Sequence, residues 1–236
     1  EPKVMQALLK SSVTQAHTRS ARTMNKRALL AWCTRVFQKA ESQPISTKYD
    51  SSNINADFIR GLVELSPNPS GPKVAVEYLN RFGIHLIVEP HLSKAYLDGA
   101  AFMSNSGHPV IAMTLRFNRI DNFWFVLLHE LAHVKLHLNG GQNLFFDDLE
   151  TPPNSDDVEN EADLKAGSWL IPENEWNNSQ VKITRNAQSA IDMAKKLKIH
   201  PAIVVGRLQR NENNYRLLSK SIGRGQDQVR KLFEES

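Results

Sequence analysis

The feature that most constrains this chain is a long apolar stretch near its middle. Between positions 123 and 136 nearly every residue is Phe, Trp, Val, Leu or Ala, and the exceptions include two His and one Glu. Asp121 or Asn122 is the expected N-terminal cap, and the stretch runs to about Leu138 before Asn-Gly-Gly at 139–141 ends it. A helix that is apolar nearly all round is buried. The stretch therefore predicts a central, buried helix.

The polar residues of this helix form the pattern His129-Glu130-x-x-His133. Residues four apart share one helix face, so His129 and His133 can bind one ion, for which Zn²⁺ is the expected metal. Mn²⁺ or Fe²⁺ also suits nitrogen and oxygen ligands. Glu130 lies about 100° round the helix, where it can act as general base toward a water molecule at the metal. The competing interpretation is a buried helix whose histidines are hydrogen-bonded internally.

Zinc hydrolases usually need a third protein ligand, and an acidic stretch at 156–163 is the obvious source. Glu159 and Asp163 are four apart, so Glu159 can bind the metal while Asp163 hydrogen-bonds and orients a ligating histidine. Glu161 points away from that face and is expected to be solvated. Glu161 and His137 remain the alternative third ligands, although His137 suits a capping or orienting role better because it follows His133 on the same straight helix.

The flanking sequence predicts an α+β fold, with a small sheet followed by a mostly helical half. Residues 84–88 are rich in β-branched side chains, and two further strands flank the turn residues Asn-Ser-Gly at 105–107. The predicted strands are 84–88, 100–104 and 109–115, and the predicted helices are 56–65, 73–81, 121–138 and 156–171, with further helical stretches after residue 184.

Charge and composition suggest three segments. Residues 1–48 carry nine Lys or Arg and two Glu, whereas the other residues carry 20 basic and 23 acidic side chains. We predict a basic helical segment or linker at 1–48, a metallopeptidase core at 49–178 and a helical C-terminal segment at 179–236. The basic segment is a candidate for contact with DNA or an acidic partner, or a solvated face. Cys33 is the only cysteine, which favours a cytoplasmic location, and no apolar run is long enough to cross a membrane.

Two scattered sets of residues show no spacing that predicts a site. Isolated histidines and arginines are most often found on the surface or in loops. On that ground we expect surface or loop positions for His85, His91, His108 and His200. We expect scattered surface positions, rather than a shared basic face, for Arg207, Arg210, Arg224 and Arg230.

Three motifs in register resemble the ImmA/IrrE metallopeptidases of bacteria and phages. They are His-Glu-Leu-Ala-His-x-x-x-His at 129–137, Glu-x-x-Ala-Asp at 159–163 and Trp-Leu-Ile-Pro at 169–172. Ala-Gly-Ser-Trp at 166–169 departs from the family's Phe-Ala ahead of Leu-Leu-x-Pro, so the match is partial. The resemblance covers about residues 56–172 and implies a zincin-like core, in which a small mixed sheet packs on the active-site helix.

The resemblance also implies a function. It favours Glu159 as third ligand and implies a cytoplasmic zinc endopeptidase that makes site-specific cuts in a helix-turn-helix repressor or related regulator under stress. The substrate peptide is expected beside an edge strand within 108–115. The stretch at 116–125 resembles the corresponding stretch of family members that carry an N-terminal XRE-type helix-turn-helix domain. In such a protein, residues 1–48 would link that domain to the peptidase core. The alternative is an antitoxin-like regulatory or DNA-associated protein whose peptidase-like domain senses or binds without cleaving.

Overall fold

The computed structural model describes residues 26–90, 97–138, 144–147, 157–220 and 229–234. The predicted α+β class is confirmed, with a small mixed sheet and mostly helical flanking segments. The helices are α1 (Lys26–Ser42), α2 (Ala56–Val63), α3 (Gly71–Asn80), α4 (Ile120–Leu136), α5 (Asp157–Leu170), α6 (Glu173–Asn177), α7 (Gln180–Thr184), α8 (Ala187–Leu197), α9 (Pro201–Asn211) and α10 (Val229–Glu234). The strands are β1 (His85–Val88), β2 (Gly99–Met103), β3 (Pro109–Met113) and β4 (Leu144–Asp147).

Some predictions concern positions outside the described residues. These are the first part of the basic segment (1–25), the helix-closing Asn-Gly-Gly at 139–141, His91 and Arg224. The division at residues 48 and 178 stays a prediction. No helix in the described ranges combines the length and apolar character that a membrane crossing needs.

The sheet has the order β1-β3-β2-β4. Strands β2 and β3 form the predicted antiparallel hairpin, whose turn uses Gly107 at φ 83°, a backbone conformation that glycine adopts without strain. Strand β1 pairs parallel with β3, and β4 pairs antiparallel with β2. The prediction of an edge strand within 108–115 is wrong, because β3 is hydrogen-bonded on both sides. The strand at 144–147 is not among those predicted from the sequence.

Helix α4 covers one face of the sheet. Its apolar side chains, among them Phe123, Leu127 and Leu131, share a buried cluster with Ala101 of β2 and Ile111 of β3. The helix begins at Ile120, after Arg119 as N-cap, and no side chain caps its first turn. The predicted cap at Asp121 or Asn122 is therefore wrong. Asp121 lies inside the first turn, where its carboxylate accepts from the Arg119 guanidinium.

Helix α1 covers the opposite face. Trp32, Cys33 and Val36 are buried against a second cluster that includes Phe102 and Val110. Alternate side chains of β2 and β3 therefore face one helix layer or the other, which is why these two strands read as unbroken apolar runs.

Polar contacts attach the same helix to the end of β1. The Trp32 indole Nε1 donates to the Glu89 carbonyl at 2.9 Å. The Glu89 carboxylate pairs with Lys39 at 2.7 Å and with Arg35 at 3.5 Å. Two cations of the basic segment are thus engaged within the fold.

We expect Trp32→Ala to lower the free energy of unfolding by about 3–5 kcal/mol, because it leaves a cavity between α1 and the sheet. The buried indole has no exposed surface and also holds the Glu89 carbonyl. Denaturant titration measures the change. Gln38→Ala, an exposed position on the same helix, is the control and should stay within about 0.5 kcal/mol of wild type. Unchanged stability in Trp32→Ala would mean that α1 behaves as a detachable linker.

The C-terminal helices α8 and α9 share the hydrophobic core of α4. Residues of α8 and α9, such as Met193 and Val204, belong to the same buried cluster as α4. Two arginines expected on the surface instead bond backbone carbonyls. Arg207 donates to the Ile171 carbonyl at 2.5 Å, beyond the end of α5, and Arg230 donates to the Leu115 carbonyl at 2.9 Å. The two arginines therefore attach the C-terminal helices to the segments that follow α5 and precede α4.

Candidate metal centre

The central residues of α4 point their polar groups into the protein interior. His129, Glu130 and His133 have no exposed surface. They lie in the second half of the helix, and the burial predicted from the apolar run is observed. The geometry of their partners decides what the group can do.

Helix α5 brings Glu159 to the two histidines. Glu159 is in the first turn of α5 and is 2% exposed. Its Oε2 lies 3.2 Å from His129 Nε2, and its Oε1 lies 3.5 Å from His133 Nε2. The two Nε2 atoms are 3.0 Å apart. One ligand atom from each residue lies within 4.8 Å of the others, and all three residues are buried.

Asp163, one turn further along α5, orients His129. Its Oδ1 lies 2.9 Å from His129 Nδ1. A carboxylate only accepts hydrogen bonds, so Nδ1 carries the proton and Nε2 presents its lone pair to the centre. The structure thus places Glu159 beside both histidines and Asp163 against the outer nitrogen of His129, as the four-residue spacing predicted.

His133 has a different outer partner. Its Nδ1 lies 3.0 Å from Nδ1 of His137, the C-terminal cap of α4, and His137 Nε2 lies 3.2 Å from Glu161 Oε2. A proton on His137 Nε2, donated to Glu161, leaves His137 Nδ1 to accept from His133. His133 Nε2 then also presents a lone pair. Glu161, expected to be solvated, is exposed but contacts His137, and neither Glu161 nor His137 joins the central group.

The protonation states favour a cation at the centre. Burial lowers the pKa of His133 to about 4, so the ring is neutral near pH 7. Burial raises the pKa of Glu159, but the hydrogen bonds and charges of the two imidazoles outweigh it and leave that pKa below its usual range. Two neutral imidazole nitrogens and one carboxylate, converging in a buried space, are a donor set that a divalent metal ion fits.

Glu130 occupies a confined position beside β2. A β-carbon added to Gly99 would lie 2.3 Å from Glu130 Oε1 and 2.9 Å from its Cγ and Cδ. The absence of a side chain at the first residue of β2 therefore leaves the space that the Glu130 carboxylate fills. Sequence reasoning missed Gly99, although a glycine at the start of an apolar strand is a signal of close approach.

We expect Gly99→Ala to lower peptide cleavage by about 10²-fold, because displacement of a reacting group by about 1 Å has that effect. Metal content should stay unchanged, since Gly99 touches Glu130 and not the central group. Gly167→Ala is the matched control, because a β-carbon there meets nothing within 4 Å. Elemental analysis and a cleavage assay read the two properties separately. Full activity in Gly99→Ala would show that Glu130 has room to relax.

Among the isolated histidines in the described residues, only His85 departs from the predicted surface or loop position, whereas His108 and His200 lie in loops. His85 is 3% exposed in β1, and burial, with His108 nearby, lowers its pKa to about 4. His108 is partly buried and its Nδ1 lies 3.0 Å from the Gly83 carbonyl. His200 is the N-terminal cap of α9 and accepts from the Ala202 amide. These contacts give each ring a structural partner away from the central group.

A small mixed sheet over a buried helix, with a His-His-Glu group that fits a metal ion, defines a candidate metal-binding protein of the α+β class. A family model described as peptidase M78, IrrE N-terminal-like domain, matches residues 79–208, which is more than half of the chain. The chain belongs to the ImmA/IrrE family of metallopeptidases. Comparison with curated proteins finds no match. The matched range contains α4, α5 and all the residues of the candidate centre.

Proposed function

We propose that this protein is a zinc-dependent endopeptidase that cuts a helix-turn-helix repressor, or a related regulator, at specific sites. The observation that carries the proposal is the buried convergence of His129 Nε2, His133 Nε2 and a Glu159 carboxylate oxygen within 4.8 Å. The residue after His129 is a buried glutamate, Glu130, and Gly99 leaves room for its carboxylate because it has no side chain. Family membership supports a peptide bond as the bond that is cut.

In this proposal His129, His133 and Glu159 would hold a zinc ion, and Asp163 keeps His129 in the tautomer that binds. Such an ion would supply a lowered pKa for a water molecule and polarisation of the scissile carbonyl. Glu130 accepts a proton from the attacking water and returns it to the leaving amide nitrogen. The burial of Glu130 keeps bulk water from competing for that proton.

Zinc is the metal that the donor set supports best. Two imidazoles and one carboxylate with an open fourth position suit catalytic zinc, whereas Mn²⁺ prefers more oxygen ligands. Manganese remains the alternative occupant. Elemental analysis of protein purified without added metal distinguishes the two.

The substrate is proposed to extend the sheet at β4. Among the described residues, β4 pairs with β2 alone, so its outer backbone edge has no described partner strand. Register pairs Asp147 of β4 with Gly99, the residue that contacts Glu130. An extended peptide added to this edge would lie level with Gly99 along the strands, about 10 Å from β2. Its main chain would supply most of the hydrogen bonds.

A second candidate function is an antitoxin-like regulatory role with DNA contact through residues 1–48. The nine basic residues of that segment motivate it. Against it, Arg35 and Lys39 already pair with Glu89, and the apolar face of α1 packs on the sheet. If Glu130→Gln keeps the full biological effect, this second function replaces the first.

The proposal is tested by mapping new protein N-termini in host cells that produce either wild type or Glu130→Gln. Site-specific cleavage predicts few new N-termini, among them one within a helix-turn-helix regulator, that appear with wild type and not with the variant. The cut must then be reproduced with purified protein and regulator. Identical N-termini in both strains would contradict the proposed enzyme.

A further inference from the structure

Arg210, near the end of α9, reaches across to helix α5. Its Nη2 donates to Asp163 Oδ2 at 3.1 Å, and its guanidinium carbon lies 4.2 Å from the centre of the Phe125 ring. Phe125 precedes His129 by one turn of α4, and their ring centres are 6.2 Å apart. The guanidinium is thus held by a charge on one side and an aromatic ring on the other.

The two oxygens of Asp163 have different partners. Oδ2 accepts from Arg210 while Oδ1 accepts from His129 Nδ1 at 2.9 Å. A carboxylate is planar, so fixing one oxygen fixes the direction of the other. The result is a continuous chain of contacts from α9 through α5 to the histidine on α4. Arg210 lies 47 residues from Asp163 and just beyond the family match, and the sequence predicted only a scattered surface arginine there.

We propose that Arg210 is a positioning residue for the metal centre, acting through Asp163 on the orientation of His129. This inference rests on the proposed role of His129 as a metal ligand. It also assigns a task to the C-terminal helix α9. A planar guanidinium suits both the bond to Asp163 and the stacking on Phe125, so lysine, which keeps only the charge, is an incomplete substitute.

The expected effects on folding stability and on metal affinity distinguish a positioning role for Arg210 from a purely structural one. The side chains of Arg210 and Asp163 are 43% and 15% exposed, and an ion pair of that kind contributes little to folding stability. Loss of a partner that orients a ligating histidine lowers metal affinity by about 10–100-fold. Arg210 is one contact further out, so a loss of about 3- to 10-fold is expected.

The test compares zinc affinity, by competition with a chromophoric chelator, and the visible spectrum of the Co²⁺-substituted protein. Arg210→Ala should weaken zinc binding about 3- to 10-fold and shift the Co²⁺ bands, and Arg210→Lys should recover part of both. Arg185→Ala is the matched control, because Arg185 and Glu212 form an exposed pair at 3.0 Å on the same C-terminal half. It should change neither measurement.

Action through Asp163 is tested by a double-mutant cycle. Arg210→Ala should add little to the effect of Asp163→Ala on zinc affinity, because the route to His129 is already cut. Additive effects would overturn the inference, as would wild-type affinity and spectrum in Arg210→Ala. If the wild type binds no metal under any condition, the proposed function and this inference both fail. If the wild type binds zinc and only the Arg210 effect is missing, this inference alone fails.

Discussion

Replacing Glu130 with Gln is expected to lower kcat/KM for peptide cleavage by about 10²–10⁴-fold, the range that a general base supplies. Glutamine has nearly the same shape as glutamate, so it fits the space beside Gly99, but it cannot accept the proton of the attacking water. The measurement is cleavage of a quenched fluorescent peptide library, followed by the natural regulator once it is identified.

Glu161→Gln is the control for this experiment, since it makes the same chemical change at a residue that contacts His137 and not the central group. It should change the cleavage rate by less than about tenfold. Metal content must match wild type in both variants. Cleavage by metal-loaded Glu130→Gln at the wild-type rate would remove Glu130 from the mechanism.

Replacing Glu159 with Ala is expected to abolish stoichiometric metal binding. Only two protein ligands would remain, fewer than the three that catalytic zinc sites use. The loss of affinity should exceed the about 10–100-fold that follows the loss of an outer partner such as Asp163. Elemental analysis of purified protein, which should show about one zinc per wild-type chain, checks the result.

Glu161→Ala should keep the metal, because Glu161 contacts His137 rather than the converging atoms. Far-ultraviolet circular dichroism on both variants separates loss of metal from loss of fold. Equal zinc content in Glu159→Ala and wild type would move the third ligand elsewhere. No metal in wild type, even after zinc is supplied, would leave the His-Glu-x-x-His helix as scaffold and favour the binding function.

The parts of the fold that sequence predicted well are those set by local signals. Helix α4 follows from its apolar run, and α2 begins at Ala56, as predicted, after an N-cap, Asn55, whose side chain accepts from the Asp57 and Phe58 amides. The approach of Glu159 to His129 was predicted because helical spacing limits which side chains share a face. Periodicity and capping act over a few residues, so a single sequence is enough to predict these helices and their shared faces.

The parts that were missed depend on contacts between distant segments. The pairing of β4 with β2 and the contact of Arg210 with Asp163 join residues more than 40 positions apart. The sequence predicted Asp121 or Asn122 as the cap of α4, but the helix begins at Ile120. The Asp121 carboxylate accepts from the Arg119 guanidinium instead of capping the helix. His85 was expected on the surface because its neighbours in space, such as His108, are not its neighbours in sequence.

The two-sided cover of the sheet has a consequence for how this protein tolerates variation. In β2 and β3, Ala101 and Ile111 face α4, while Phe102 and Val110 face α1. A sheet with one solvent-exposed face accepts polar substitutions at every second position of each strand. In β2 and β3 the side chains on both faces are covered by helices, so no such positions exist. A saturation mutagenesis scan should therefore show unbroken intolerant blocks across both strands, with tolerated substitutions concentrated in loops and on the outer faces of helices.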